Sequence, residues 1–251
     1  MPPSNVLCVI PARLESTRLR KKLLRTIGGK PLIQFAYENA KKAKSVNRVL
    51  VACDHESIKS CVESFGGEAI LTGTHHRSGT ERIAEVLRKF PSEIVVNLQG
   101  DEPLMRSEVV DQVVGAIQKD AACMMSSACI RKGDPAEYIN PNVVKVTKDR
   151  WGIALYFSRS PIPFDREKRV IDYFKHLGIY GFRKDFLLQF VSWGPSLLEE
   201  REKLEQLRVL ENGYKIKLVE TVYDSIGVDT EEDLKMVEEK LAAASKAGAH
   251  A

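Results

Sequence analysis

Six cations fall between Arg13 and Arg25, namely Arg13, Arg18, Arg20, Lys21, Lys22 and Arg25, with Ser16 and Thr17 set among them. Guanidinium forks take two phosphate oxygens at once and hydroxyls add further donors, so the set suits a polyphosphate better than bare lysine would. A solvated basic turn is the ordinary alternative. Position decides between them, because the loop directly follows an apolar run at residues 6–10 that reads as a buried strand stopped by Pro11. Neither GxxxxGK[ST] nor GxGxxG occurs there. Asp101, in Gln99-Gly100-Asp101-Glu102-Pro103, ends another apolar run, at residues 94–98. A carboxylate on that edge, facing a triphosphate loop, is what Mg2+ needs, since the ion takes hard oxygen ligands, one or two carboxylates with phosphates and water. Asp229 follows Gly227-Val228 and precedes a helical stretch, so it reads either as a second carboxylate ligand or as a helix N-terminal residue. Together the two aspartates point to phosphoryl or nucleotidyl chemistry.

The elements that must position these groups alternate. Residues 31–43, 57–65, 81–90 and 107–119 carry helical spacing, and residues 46–52, 69–71 and 94–98 read as strands between them. That order predicts right-handed crossovers and a mostly parallel sheet covered on both faces. The second half differs. Residues 124–129, 143–147, 153–157 and 177–182 are strand-like without a long helix after each, which predicts added mixed or antiparallel strands. Residues 158–164 form an extended loop around two prolines, residues 186–191 and 198–211 read as helices, 214–219 as a strand, and Thr230 as the cap of a last helix to about residue 244.

The chain has 251 residues and 43% apolar content, enough for a substantial core. One domain spanning 1–251 is expected, with residues 245–251 as a frayed tail. Net charge is only +4, so affinity for polyanions must be local. A basic stripe with interleaved aromatics is absent, which excludes nucleic acid as a partner. Cys8, Cys53, Cys61, Cys123 and Cys129 show no CxxC spacing and point to a reducing compartment. His75 and His76 have no cysteine at metal-ligand spacing, so zinc is not expected. No apolar stretch reaches about 18 residues, and a cytoplasmic protein without a membrane partner is expected. From spacing alone His176 is a strand residue with a satisfied ring, and Glu205-Gln206 belong to a solvent face.

Seven segments in matching order carry a resemblance: Ile10-Pro11-Ala12-Arg13 with Ser16-Thr17-Arg18; Ser78-Gly79-Thr80-Glu81-Arg82; Asn97 through Pro103; Tyr156-Phe157-Ser158-Arg159; His176-Leu177-Gly178-Ile179-Tyr180; Leu204-Glu205-Gln206-Leu207-Arg208; and Gly227-Val228-Asp229-Thr230. They resemble the 3-deoxy-manno-octulosonate cytidylyltransferases, the CMP-KDO synthetases, from about residue 6 to 241. The resemblance implies a Rossmann-like, glycosyltransferase-A-like nucleotidyltransferase that couples CTP to KDO, giving CMP-KDO and pyrophosphate for lipopolysaccharide assembly. It further implies CTP binding by Ala12, Arg13, Ser16, Arg18, Lys22, Thr72, Arg77 and Ser78. Asp101 and Asp229 would hold Mg2+, making them catalytic together with Arg18 and Lys22. Gln99, Arg159, His176, Tyr180, Glu205 and Gln206 would surround the sugar acid. Family members are often homodimers, and Trp151, Phe157 and Phe164 are the candidate interface residues here.

The chain departs from the family pattern at one place. Where the loop usually continues Leu-Pro-Gly-Lys-Pro-Leu, it reads Leu19-Arg20-Lys21-Lys22-Leu23-Leu24, so a Pro-Gly turn has become Arg-Lys. Lysine cannot reproduce the backbone freedom of glycine, and the geometry of the loop is the point at issue. Two rivals remain at this stage: a cytidylyltransferase for sialic acid or an amino-substituted KDO, and a nucleotide-binding relative without turnover.

Overall fold

The computed structural model of the chain describes residues 5–16, 19–167 and 172–248, with side chains through residue 243 in the last helix. In chain order the elements are β1 (Val6–Ala12), a 3-10 turn (Lys22–Leu24), β2 (Thr26–Ile27), β3 (Lys30–Pro31), α1 (Leu32–Lys42), β4 (Arg48–Cys53), α2 (Glu56–Ser64), β5 (Ala69–Leu71), α3 (Gly79–Lys89), β6 (Ile94–Leu98) and α4 (Ser107–Lys119). Then come β7 (Met125–Lys132), α5 (Pro135–Ile139), β8 (Lys145–Lys148), β9 (Ala154–Ser158), β10 (Tyr173–Arg183), α6 (Lys184–Ser192), α7 (Leu197–Glu202), α8 (Leu207–Glu211), β11 (Ile216–Glu220) and α9 (Glu231–Gly248). The result is a mixed α/β fold with a mostly parallel central sheet, as the alternation predicts.

Two compact units can be described. The first holds Leu7–Pro91, Asn97–Ser107 and the segment from Ser225 onward. In it β1 pairs β4, and β4 also pairs β5. β1 with β4 and β4 with β5 are parallel, in the register Ile10↔Val51 and Ala52↔Ile70. Val6, Cys8, Val9 and Ile10 are wholly buried, which is why the run is continuously apolar instead of alternating. Two positive-φ glycines, Gly28 and Gly29, close the β2–β3 hairpin. A two-residue turn with that backbone twist needs positive φ at both positions, which other residues rarely adopt. Leu19, Ile27, Leu32, Val228, Leu234 and Val237 form one buried cluster. The stretch entering the cationic loop and the stretch entering Asp229 are therefore anchored in the same apolar group.

The second unit holds Ser92–Val96 and Glu108–Asp224, with Asn5 and Val6. Its strands are mixed: β7 pairs β11 in parallel and β10 antiparallel, while β8 pairs β10 and β9 antiparallel. These are the added strands expected of the second half. Two local expectations change. Residues 198–211 are not one helix, since α7 ends at Glu202, Lys203 takes a left-handed φ of 53° and α8 begins only at Leu207. The break has a physical cause. In a continuous helix the carbonyls of Glu202 and Lys203 would accept from the next turn, whereas here both accept from the Arg159 guanidinium. The short helix α5 was missed, although Asp134 caps it through the amides of Ala136 and Glu137.

Trp151 and Phe164 are exposed, but Phe157 is wholly buried, with its ring edge against His176. It cannot contribute to an interface, and that expectation is corrected. Cys8, Cys53, Cys123 and Cys129 are buried free thiols and Cys61 is half-buried. Burial pushes the Cys8 thiol up to about 12, so it stays protonated. Among the described residues no helix is long and apolar enough to cross a membrane.

Candidate active site

Lys22, Asp101 and Asp229 meet at one point of the first unit. The Lys22 ammonium donates to Asp101 Oδ2 at 2.5 Å and to Asp229 Oδ1 at 2.8 Å. Burial alone would lower the pKa of Lys22; the charge and hydrogen bonds of Asp101 and then Asp229 outweigh it, and the net shift is upward. The three residues arrive from remote parts of the chain, and main-chain bonds fix them. The amide of Val228 donates to the carbonyl of Asp101 at 2.9 Å, stitching the end of β6 to the residue before Asp229. Capping of α9 runs through Asp233, whose Oδ2 accepts from the amides of Asp229 and Thr230, and through Thr230 Oγ1, which accepts from Asp233. Arg25, counted with the loop cations, instead forms a bidentate pair with Glu231 at 2.7 and 2.9 Å.

A cavity of about 360 Å³ opens beside this triad, lined among others by Arg13, Ser16, Gln99, Gly79 and Glu15. Arg13 is exposed and its Nη2 donates to the carbonyl of His76 at 2.7 Å, leaning the loop on the segment before α3. Gln99 Nε2 donates to Asn97 Oδ1 at 3.1 Å. Arg18 lies outside the described residues. Ala12 is the buried last residue of β1. Thr72, Arg77 and Ser78 do not line the cavity. Ser78 caps α3, accepting from Glu81 N at 3.3 Å, and Arg77 pairs with Glu81 at 2.6 Å. Thr72 Oγ1 donates to the Cys53 carbonyl and accepts from Arg82.

The left-handed residue of the loop is Lys21, at φ 51° and ψ 37°. Leu19 and Leu23 are buried on either side of it. The Arg-Lys pair thus places a β-carbon in a left-handed conformation, one that glycine adopts without that cost.

Arg159, His176, Tyr180, Glu205 and Gln206 all belong to the second unit. His176 is buried, and desolvation pushes its imidazole down to about 3, so it is neutral. Ser127 Oγ lies 2.9 Å from its Nε2 and donates its own hydrogen to the Ile179 carbonyl, so Nε2–H is the donor of the shared bond. Its ring also meets Tyr180, with centroids 5.5 Å apart. Gln206 is 4% exposed, and among the described residues its buried Nε2 has no hydrogen-bond partner. Glu205 lies 3.8 Å from the Arg208 guanidinium.

Sequence reasoning quoted Arg82 in a segment that carries the resemblance but gave it no role and did not foresee its burial. It is fully buried on α3, donates to Thr72 Oγ1 and the Gly73 carbonyl, and lies 3.4 Å from Asp54. The available signal was an arginine beside the apolar stripe Ile83, Val86 and Leu87.

Residues 7–216 match the family model described as Cytidylyltransferase. A 3-deoxy-manno-octulosonate cytidylyltransferase from Geotalea uraniireducens is 47% identical over 248 residues, covering 94% of this chain and 99% of that protein. The chain belongs to the 3-deoxy-manno-octulosonate cytidylyltransferase family. A relative of the same name from Thermodesulfovibrio yellowstonii is 49% identical over 250 residues, covering 94% of this chain and 97% of its own. Among solved structures, a CMP:2-keto-3-deoxy-manno-octonic acid synthetase complexed with CTP superposes with a TM-score of 0.91 at 40% identity, covering 96% of this chain and all of that one. In open α/β sheets ligands gather outside the carboxyl ends of the strands, and both β1 and β6 end at the cavity described above.

Proposed function

We infer that this chain couples CTP with KDO to give CMP-KDO and pyrophosphate, in the cytoplasm, for lipopolysaccharide assembly. The observation that carries the reading is the convergence of Lys22, Asp101 and Asp229 beside a cavity also lined by Arg13, Ser16 and Gln99. In this reading Arg13, Ser16, Arg18 and Lys22 take the CTP phosphates, Ala12 also contacts CTP, and the segment holding Thr72, Arg77 and Ser78 lines the cytosine and ribose. Gln99, Arg159, His176, Tyr180, Glu205 and Gln206 surround the sugar acid. The unpartnered donor of Gln206 supports that role, since a buried amide hydrogen without an acceptor costs free energy that a ligand oxygen would recover.

The donor set suits Mg2+. Two carboxylates whose oxygens already converge on one ammonium offer hard oxygen ligands, and phosphate and water would complete the shell. Mg2+ held by Asp101 and Asp229 would supply Lewis-acid stabilisation of charge on the α-phosphate. The anomeric oxygen of KDO forms the new bond to the α-phosphorus in line with the leaving group, losing its proton to solvent water. The bond from the α-phosphorus to the bridging oxygen breaks, and its electron pair leaves on pyrophosphate. Lys22 and Arg18 stabilise that leaving charge, and no covalent enzyme intermediate is required. A homodimer is part of the proposal, with Trp151 and Phe164 as exposed aromatics available to a partner copy.

Pyrophosphate release measured with CTP, UTP, ATP and GTP, each with and without KDO, tests the reading. Turnover is expected only with CTP and KDO together and only with Mg2+ present. Asp101→Ala should lose at least about 100-fold of it with an unchanged melting profile. Near-normal CMP-KDO formation by Asp101→Ala would sink the assignment.

A further inference from the structure

Glu202 has no part in the roles above, yet it holds two segments of the second unit together. Its carboxylate accepts from Ser158 Oγ at 2.7 Å, from the main-chain amide of Arg159 at 2.9 Å and from the Tyr156 hydroxyl at 3.5 Å. Arg159 reciprocates. Its Nε donates to the Glu202 carbonyl at 2.7 Å, Nη1 to the Pro141 carbonyl at 2.9 Å and Nη2 to the Lys203 carbonyl at 3.5 Å. Beneath them the fully buried Lys145 donates to the carbonyls of Asn140, Val143 and Arg159, the last at 2.5 Å. The amide, the carbonyl and the side chain of Arg159 are thus all held. The chain leaves this brace through Lys203 and reaches Glu205 and Gln206 within one turn.

We propose that Glu202 is a positioning residue for the sugar acid: it fixes the Arg159 fork and the turn carrying Glu205 and Gln206 as one rigid piece. The proposal rests on the reading, given above, that Arg159, Glu205 and Gln206 surround KDO. All three groups facing the carboxylate donate to it here. Glutamine could keep its carbonyl on the Arg159 amide only by turning its NH2 toward the two hydroxyls, which would then have to accept and give up their bonds to Glu202, while Ser158 Oγ already accepts from the Ser160 amide; aspartate falls one methylene short. A guanidinium held through main-chain carbonyls keeps its remaining N–H groups on one heading, which is what two-oxygen recognition of a carboxylate needs.

The test uses the full chain with Mg2+ and saturating CTP, and varies KDO for wild type, Glu202→Gln, Arg159→Ala and the double variant. Glu202→Gln is expected to raise the KM for KDO at least tenfold, with the KM for CTP within twofold and kcat within threefold. In the Arg159→Ala background the same substitution should add less than twofold. If Glu202→Gln does not fold, Ser158→Ala, which removes one donor and leaves the charge, should raise the KM for KDO about threefold. An unchanged KM for KDO in the folded variant overturns the proposal, as does a loss of equal size for CTP or a full effect persisting without Arg159. Arg159→Ala with a normal KM for KDO overturns the site reading itself, and the proposal with it.

Discussion

Replacing Lys21 with glycine should stabilise the protein, although glycine ordinarily weakens a chain. Lys21 sits at φ 51°, ψ 37°, where a β-carbon crowds the following carbonyl at a cost of about 1–2 kcal/mol. Glycine removes that cost and returns roughly 0.5–1 kcal/mol of it as extra freedom of the unfolded chain. The side chain is exposed, and the Lys21 carbonyl that accepts from Leu24 at 2.9 Å is retained in the variant. The balance is a gain of about 0.5–1 kcal/mol, which for a chain of this length raises Tm by about 1–4 °C. Lys21→Ala is the control, because it removes the charge and keeps the β-carbon, and should stay within about 0.5 kcal/mol of wild type. Differential scanning calorimetry of both variants at pH 7 decides the matter. If Lys21→Ala gains as much as Lys21→Gly, the benefit comes from relieved charge, and the argument from backbone strain is wrong.

His176 should make the protein sensitive to acid. Its folded pKa of about 3 lies below the unfolded value near 6.5, so the unfolded chain binds the extra proton and stability falls as pH drops below 6.5. Between about pH 7.5 and 5 this contributes a loss of about 2 kcal/mol in urea unfolding, and His176→Gln should lack that part of the slope. Gly79→Ala should weaken CTP binding about tenfold in isothermal titration at a stability cost of about 1–3 kcal/mol, because the added β-carbon would come within 2.9 Å of the Pro11 ring on the cavity wall. Unchanged CTP affinity in a folded Gly79→Ala protein would show that the first turn of α3 does not shape the nucleotide site.

What could be read from residue order was whatever depends on neighbours in sequence. The unbroken apolar run of β1 gave its burial, and the place of Asp101 at a strand end gave its presence at the ligand edge. What could not be read depends on bonds between distant residues. The break after α7 is imposed by Arg159, which lies just after β9 and far away in sequence, so local helix periodicity ran straight through it. Arg82 looks like a surface arginine until Thr72, Gly73 and Asp54 are brought around it. His176 shows the two routes side by side. Spacing alone gave a strand residue with a satisfied ring, which matches its bond to Ser127, while its place near the sugar acid came only from the resemblance.

The bond from Val228 to the carbonyl of Asp101 is made wholly by main-chain atoms. The bond itself asks only for an amide hydrogen at position 228 and a carbonyl at 101, while the burial of the Val228 side chain holds the segment that carries it. The backbone spacing of the two acidic positions is thus set by the scaffold and by that apolar cluster, and does not depend on the carboxylates mounted on it. New chemistry could be tried at either position while the other stayed in place. For the same reason the pairing leaves no mark in residue type, and comparison of sequences alone has no handle on the link that sets the width of the site.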